Sequence, residues 1–153
     1  MSVTLDGAAG LQAHANSDLG VTDWKEITFE DIVKFGEVTG DMQWIHVDRE
    51  RALKESPFGA PIAHGYFTLA LVAGGFMDVV TMEGFKLVIN YGTNKVRFPN
   101  PLKAGARWRL NLKLGDVTQK KDWFEGIFVA AIEIDGEAKP ACVAECVYRF
   151  LPA

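Results

Sequence analysis

From Thr28 onward the apolar positions follow a helical rhythm in the first half of the chain and an alternating one in the second. Phe29, Ile32, Val33 and Gly36 recur at helical spacing. Thr28-Phe29-Glu30-Asp31 opens that run as a capping box with Asp for the usual Glu, and Gly40 supplies a stop. A second short helix is predicted from Arg49 to Lys54, begun by Asp48 and ended before Ser56-Pro57. Between the two lies the connection "GDMQWIH", Gly40 to His46. After an extended stretch at Pro57 to Pro61, residues from Gly65 to about Val80 are apolar on nearly every side, the mark of a buried helix. Strands are then expected at Phe85–Tyr91, Asn94–Phe98, Ala106–Val117, Trp123–Ile134 and Ala138–Leu151, the last two joined by a tight turn at Asp135-Gly136.

One long apolar helix followed by long antiparallel strands predicts an α+β domain whose sheet wraps the helix. That domain is expected over residues 24–153, after a loosely ordered Gly/Ala/Ser-rich lead-in at 1–23. The outer side of such a sheet stays wet unless a second copy covers it.

Composition narrows the function. The chain has 153 residues, 48% of them hydrophobic, which suits one domain with a real core. Its net charge of −4 argues against nucleic acid as a partner, since phosphate binding needs a dominant basic surface. The first twenty residues lack the basic start and apolar run of a secretory leader. The most apolar stretch, Tyr66 to Met77, is twelve residues, against about 20 for a membrane span. Cys142 and Cys146 fall four apart in a strand, about 13 Å. A disulfide allows roughly 4.4–6.8 Å between Cα atoms, so two reduced cysteines in a cytoplasmic protein are expected.

Asp41 and His46 lie in a short loop held by a helix at each end, which suits aimed polar groups. They are either ordinary loop polars or a proton-handling pair. Trp44 and Ile45 between them offer a way to dry the pair, and desolvation moves carboxyl and imidazole pKa values toward working pH. Ala63-His64-Gly65 stands where the long helix begins, and free N–H groups there bind anionic oxygen. Gly65 has no side chain, which permits close approach by a ligand or close helix–sheet packing. His64 is read as a cap or as a site residue, and His14 has no role. A metal on Asp41 and His46 would lack a third obvious ligand. No nucleophile elbow, phosphate loop, dinucleotide fingerprint or zinc spacing is present.

Three motifs in order resemble the MaoC-like dehydratases, the (R)-specific enoyl-CoA hydratases, and their NodN-like branch in particular. They are Phe35 through "EVTGDMQWIHVD", "PIAHG" at Pro61–Gly65, and "FPNPLKAG" from Phe98 to Gly105; "INYGTNKVRF" looks NodN-like. The resemblance runs from about Trp24 to Phe150. It implies a hot-dog fold, usually dimeric, with Asp41 and His46 as the hydratase dyad and the Gly65 N–H as oxyanion donor. The implied reaction is syn addition of water to a trans-2-enoyl-CoA, giving the (R)-3-hydroxyacyl product, with no metal or redox cofactor, because CoA arrives on the substrate. The family's usual Asn-Pro between Asp and His is Gln43-Trp44 here, and a serine some members carry on the helix is Ala73. For the CoA phosphates and pantetheine, Lys95, Arg97, Lys103 and Asn94 are candidates; solvated strand charges are the alternative. The rival functions are an acyl-CoA thioesterase on the same fold and a non-catalytic acyl-thioester-binding protein.

Overall fold

A computed structural model describes residues 2–153. The elements run β1 (Val3–Asp6), α1 (Gly7–Ala13), β2 (Ser17–Val21), β3 (Lys25–Glu26), α2 (Phe29–Thr39), α3 (Trp44–Val47) and α4 (Arg49–Glu55). Then come α5 (Gly65–Val79), β4 (Val80–Glu83), β5 (Phe85–Arg97), β6 (Arg107–Lys120), β7 (Trp123–Ile134) and β8 (Cys142–Pro152). One antiparallel sheet has the order β2-β6-β7-β8-β5, with β3 also on β6, and β1 pairs with β4 in parallel.

Alternation sets which side chains meet α5. Leu110, Leu112 and Leu114 of β6, Phe128, Ala130 and Ile132 of β7, and Ala144, Cys146 and Phe150 of β8 are all buried. Phe76 of α5 packs at 4.9 Å from the rings of both Phe128 and Tyr148. Gly75 lets the helix approach β6: a Cβ there would sit 2.8 Å from Leu110. Gly74 has nothing within 4 Å, so only one glycine of the pair serves close packing.

Four expectations change. The lead-in is built into the fold: β1 and β2 pair with other strands, and Leu5, Leu11 and Leu19 belong to the core. Its pairing with residues far along the chain leaves no local periodicity to read. Next, α5 is not covered all round within one chain; Tyr66 and Met77 are 77% and 65% exposed. The strands expected at 85–91 and 94–98 are one strand, bent by register shifts around Gly92 and after Thr93. Finally, Glu137 N–H bonds to the Ile134 carbonyl at 3.1 Å around Gly136, so the turn is present. β8, however, starts only at Cys142. The tight hairpin is instead β6–β7, where Lys121 takes φ 56° in the two residues between Lys120 and Trp123.

Cys142 and Cys146 are free and buried, and desolvation lifts both thiols to about 11. Such thiols stay protonated and unreactive. No described helix is long and apolar enough to cross a membrane.

Candidate active site

Local sequence fixes the loop that carries Asp41. Thr28 Oγ1 accepts from Asp31 N–H at 3.1 Å and Asp31 Oδ2 accepts from Thr28 N–H at 3.4 Å, closing the capping box of α2. At the other end Gly40 takes φ 80° and its N–H bonds to the Gly36 carbonyl at 2.8 Å. The chain turns sharply there, and Asp41 follows at the surface with Oδ1 accepting from Gln43 N–H at 3.4 Å. The rest of the connection, expected as loop, forms the single turn α3, and Asp48 then caps α4 by accepting from Arg51 N–H at 3.0 Å.

α3 buries His46, which is only 6% exposed. Its Nδ1–H donates to the Ile62 carbonyl at 2.6 Å. A carbonyl only accepts, so the ring proton sits on Nδ1 and Nε2 keeps its lone pair. Burial is the main influence holding the His46 pKa below 6.5, opposed by the Ile62 bond; His64 lowers it further and Asp41 raises it. The resting ring is therefore neutral near pH 7 and accepts a proton through Nε2.

The Ile62 segment is gripped on both sides. Ile62 N–H bonds to the Ile45 carbonyl at 3.1 Å, Ala63 N–H to the Leu102 carbonyl at 2.7 Å, and Ala104 N–H to the Pro61 carbonyl at 2.9 Å. α5 starts at Gly65, so the Gly65 N–H has no acceptor within its own helix. His46 and Gly65 share a cavity of about 320 Å³, walled by Phe58, Ile62, Thr68, Phe98, Leu102 and Ala141. These apolar walls dry the site. Trp44, expected to do so, lies instead under the Arg51 guanidinium at 4.3 Å.

Potential ligand atoms of Asp41, His46 and His64 all lie within 4.8 Å of one another, so His64, read as a cap or a site residue, joins the pair as the third ligand atom that the sequence had not made obvious. No direct hydrogen bond joins the Asp41 carboxylate to His46 among the described residues. A water about 2.8 Å from each group spans a gap of this size. His64 itself is 2% exposed and does not line the cavity.

The other candidates lie apart from the cavity. Lys95 and Arg97 are exposed on β5, opposite Glu145 and Val143, and the Arg97 guanidinium donates to the Val96 carbonyl at 2.7 Å. Asn94 falls at the register shift beside them. Lys103 is placed better: it lines a groove that shares Phe58, Asn100 and Pro101 with the His46 cavity. Ala73 opens on a separate cleft of about 210 Å³ between α5 and β5, with Tyr66, Asn90, Thr93 and Tyr148.

Two residues escaped the sequence reading. Phe98 covers Gly65: a Cβ on that glycine would lie 3.1 Å from the Phe98 ring. Gly65 is thus small against the ring leaving β5, not against the sheet core. Gly36, read only as part of the helical rhythm, gives room to the loop that carries Asp41: its Cβ would sit 2.9 Å from the Asp41 carbonyl oxygen. Its position one turn before the Gly40 stop was the available signal.

The chain belongs to the MaoC-like domain family, whose model matches residues 11–135. It is 45% identical to 3-hydroxyacyl-thioester dehydratase Z of Mycobacterium tuberculosis (strain ATCC 25618 / H37Rv) over 97% of this chain and 98% of that protein. It is 33% identical to nodulation protein N of Rhizobium leguminosarum bv. viciae, covering 91% of this chain and 88% of the relative. Among solved structures, the (R)-hydratase from A. caviae involved in PHA biosynthesis superposes with a TM-score of 0.69 at 19% identity, over 90% of this chain and 96% of that one. That likeness identifies the hot-dog fold, a sheet wrapped on a central helix.

Gly36→Ala tests whether the loop depends on that space. Alanine favours a helix interior by about 0.5–1 kcal/mol over glycine, yet its methyl meets the Asp41 carbonyl. Turnover on an enoyl or 3-hydroxyacyl thioester is expected to fall at least about tenfold, as misplaced groups lose much of their effect. Melting temperature is expected to change by a few degrees at most. Wild-type turnover would show that the loop does not need the space.

Proposed function

We propose that this chain, a hydro-lyase of the MaoC-like family, adds water to trans-2-enoyl-CoA to give (R)-3-hydroxyacyl-CoA, and catalyses the reverse dehydration. The observation that carries this reading is the pairing of an exposed Asp41 carboxylate with a buried His46 whose proton is held on Nδ1. Their ligand atoms lie within 4.8 Å of each other, and His46 lines a cavity together with Gly65. The 45% identical dehydratase supports the reaction class.

In the proposed step both hydrogens of the water point to acceptors, the Asp41 carboxylate and His46 Nε2. A lone pair on its oxygen faces C3. The C3–O bond forms, the C2=C3 π pair moves toward the thioester, and the Gly65 N–H bonds the oxygen that gains charge. The proton that left the water passes through the dyad to C2 on the same side. Asp41 and His46 together hold one water and therefore deliver both of its parts to one face. No metal or redox cofactor takes part. We assign the CoA phosphates to Lys103, whose groove shares Phe58, Asn100 and Pro101 with the cavity, ahead of Lys95, Arg97 and Asn94.

A thioesterase on this fold would call for a carboxylate at the start of α5, and its first turn has none. Action in the cytoplasm suits two free, buried cysteines. A homodimer suits the open apolar surface: Tyr66 and Met77 on α5, with Leu87, Ile89 and Tyr91 on the edge strand β5. An unpaired edge of this kind is normally covered. Light scattering at micromolar concentration is expected to give twice the 16.9 kDa chain mass, and a monomer would defeat this part of the proposal.

The dyad is tested by hydration of crotonyl-CoA and longer enoyl-CoAs, followed by loss of enoyl absorbance. General acid–base groups contribute about 10²–10⁴-fold. Asp41→Asn and His46→Gln are each expected to lower kcat at least about a hundredfold with KM changed much less. The double variant should lose far less than the product of the single losses, because the two groups act on one water. Near-normal hydration by either single variant would sink the dyad.

A further inference from the structure

We propose that His64 is the positioning residue of the dyad, its Nε2–H holding the Asp41 main chain while its ring backs that of His46. The inference rests on reading Asp41 and His46 as the hydration pair.

His64 Nε2 lies 2.9 Å from the Asp41 carbonyl oxygen. Since that oxygen only accepts, Nε2 carries the proton, and Nδ1 has no hydrogen-bond partner among the described residues. The two stacked histidines therefore hold opposite tautomers, Nδ1–H on His46 and Nε2–H on His64. Their ring centroids are 3.9 Å apart and their planes 24° apart. Phe35 of α2 lies 5.0 Å from the His64 ring and stacks on Phe67 of α5.

A simple space-filler here would be apolar, because a buried nitrogen without a partner costs folding free energy. The bond to Asp41 explains why an imidazole occupies the place. Asp41's carbonyl is caught between the His64 N–H and the bare Cα of Gly36, so its backbone cannot drift although its side chain is exposed. The carboxylate then moves only about its own side-chain torsions and stays in reach of the water that His46 accepts from.

The first measurement needs no variant: long-range ¹⁵N–¹H correlation on the wild-type protein. It is expected to show the Nε2–H tautomer for His64 and the Nδ1–H tautomer for His46. The reverse tautomer at His64 overturns the proposal whatever the activity. Two variants then separate bond from stack. His64→Phe keeps a ring without the donor, and is expected to lower kcat at least about tenfold with KM within roughly threefold. His64→Gln keeps an N–H at similar reach and should recover most of the lost kcat. Wild-type kcat in His64→Phe, or a Gln variant no better than Phe, overturns the proposal. Absence of hydration by the wild-type protein counts against the hydratase reading instead, and the tautomers still decide the His64 bond.

Discussion

The peptide at Ile62 is bound on both its faces, and the site follows from it. Its N–H bonds to the Ile45 carbonyl, its carbonyl accepts from His46 Nδ1, and the next residue is tied to Leu102. One short extended stretch thus joins the α3 turn, the start of α5 and the loop after β5. If it moved, His46 would lose its tautomer, Gly65 its place at the head of the helix, and Phe98 its seat. A 2.6 Å bond buried beside apolar walls is stronger than its equivalent in water.

The same dryness that strengthens the bond also keeps His46 neutral. Burial lowers its pKa more than the Ile62 carbonyl raises it. In the proposed hydration the exposed Asp41 carboxylate and the buried His46 ring each take one hydrogen of a shared water, whose lone pairs are left for the substrate. The Gly65 N–H has no acceptor within its helix because α5 begins there, and in the proposed hydration it bonds the enolate oxygen. The apolar side chains of Phe58, Phe98 and Leu102 line the cavity beside His46, where polar groups act more strongly than in water.

Local chemistry made much of this readable in sequence. The Thr28–Asp31 capping box, the Gly40 stop, the Asp48 cap and the apolar α5 are signals contained in a few neighbouring residues, and all four are present. The β1–β4 pairing was not readable, because Leu5 meets Met82 and nothing near Leu5 announces it. The strand expected to break at Gly92-Thr93 is carried through by its pairing with β8, with the break appearing as register shifts. The loop and its motif singled out Asp41 and His46, and the fold brings the two side chains close together. His64's bond to Asp41 crosses 23 positions and depends on Gly36 being small, so only the fold brings it into view. Alternation puts Lys95 and Arg97, two candidates for the CoA phosphates, on one side of β5, and neither lines the His46 cavity.

The central claim is that one water, held jointly by Asp41 and His46, supplies both the oxygen at C3 and the proton at C2. Hydration of trans-crotonyl-CoA in D₂O reads this directly, because proton NMR of the product gives the relative placement of the deuterium at C2 and the oxygen at C3. The account predicts a single deuterium on the same face as the new C–O bond, with (R) configuration at C3. Anti addition, an (S) product, or release of free CoA in place of a hydroxyacyl thioester would contradict it.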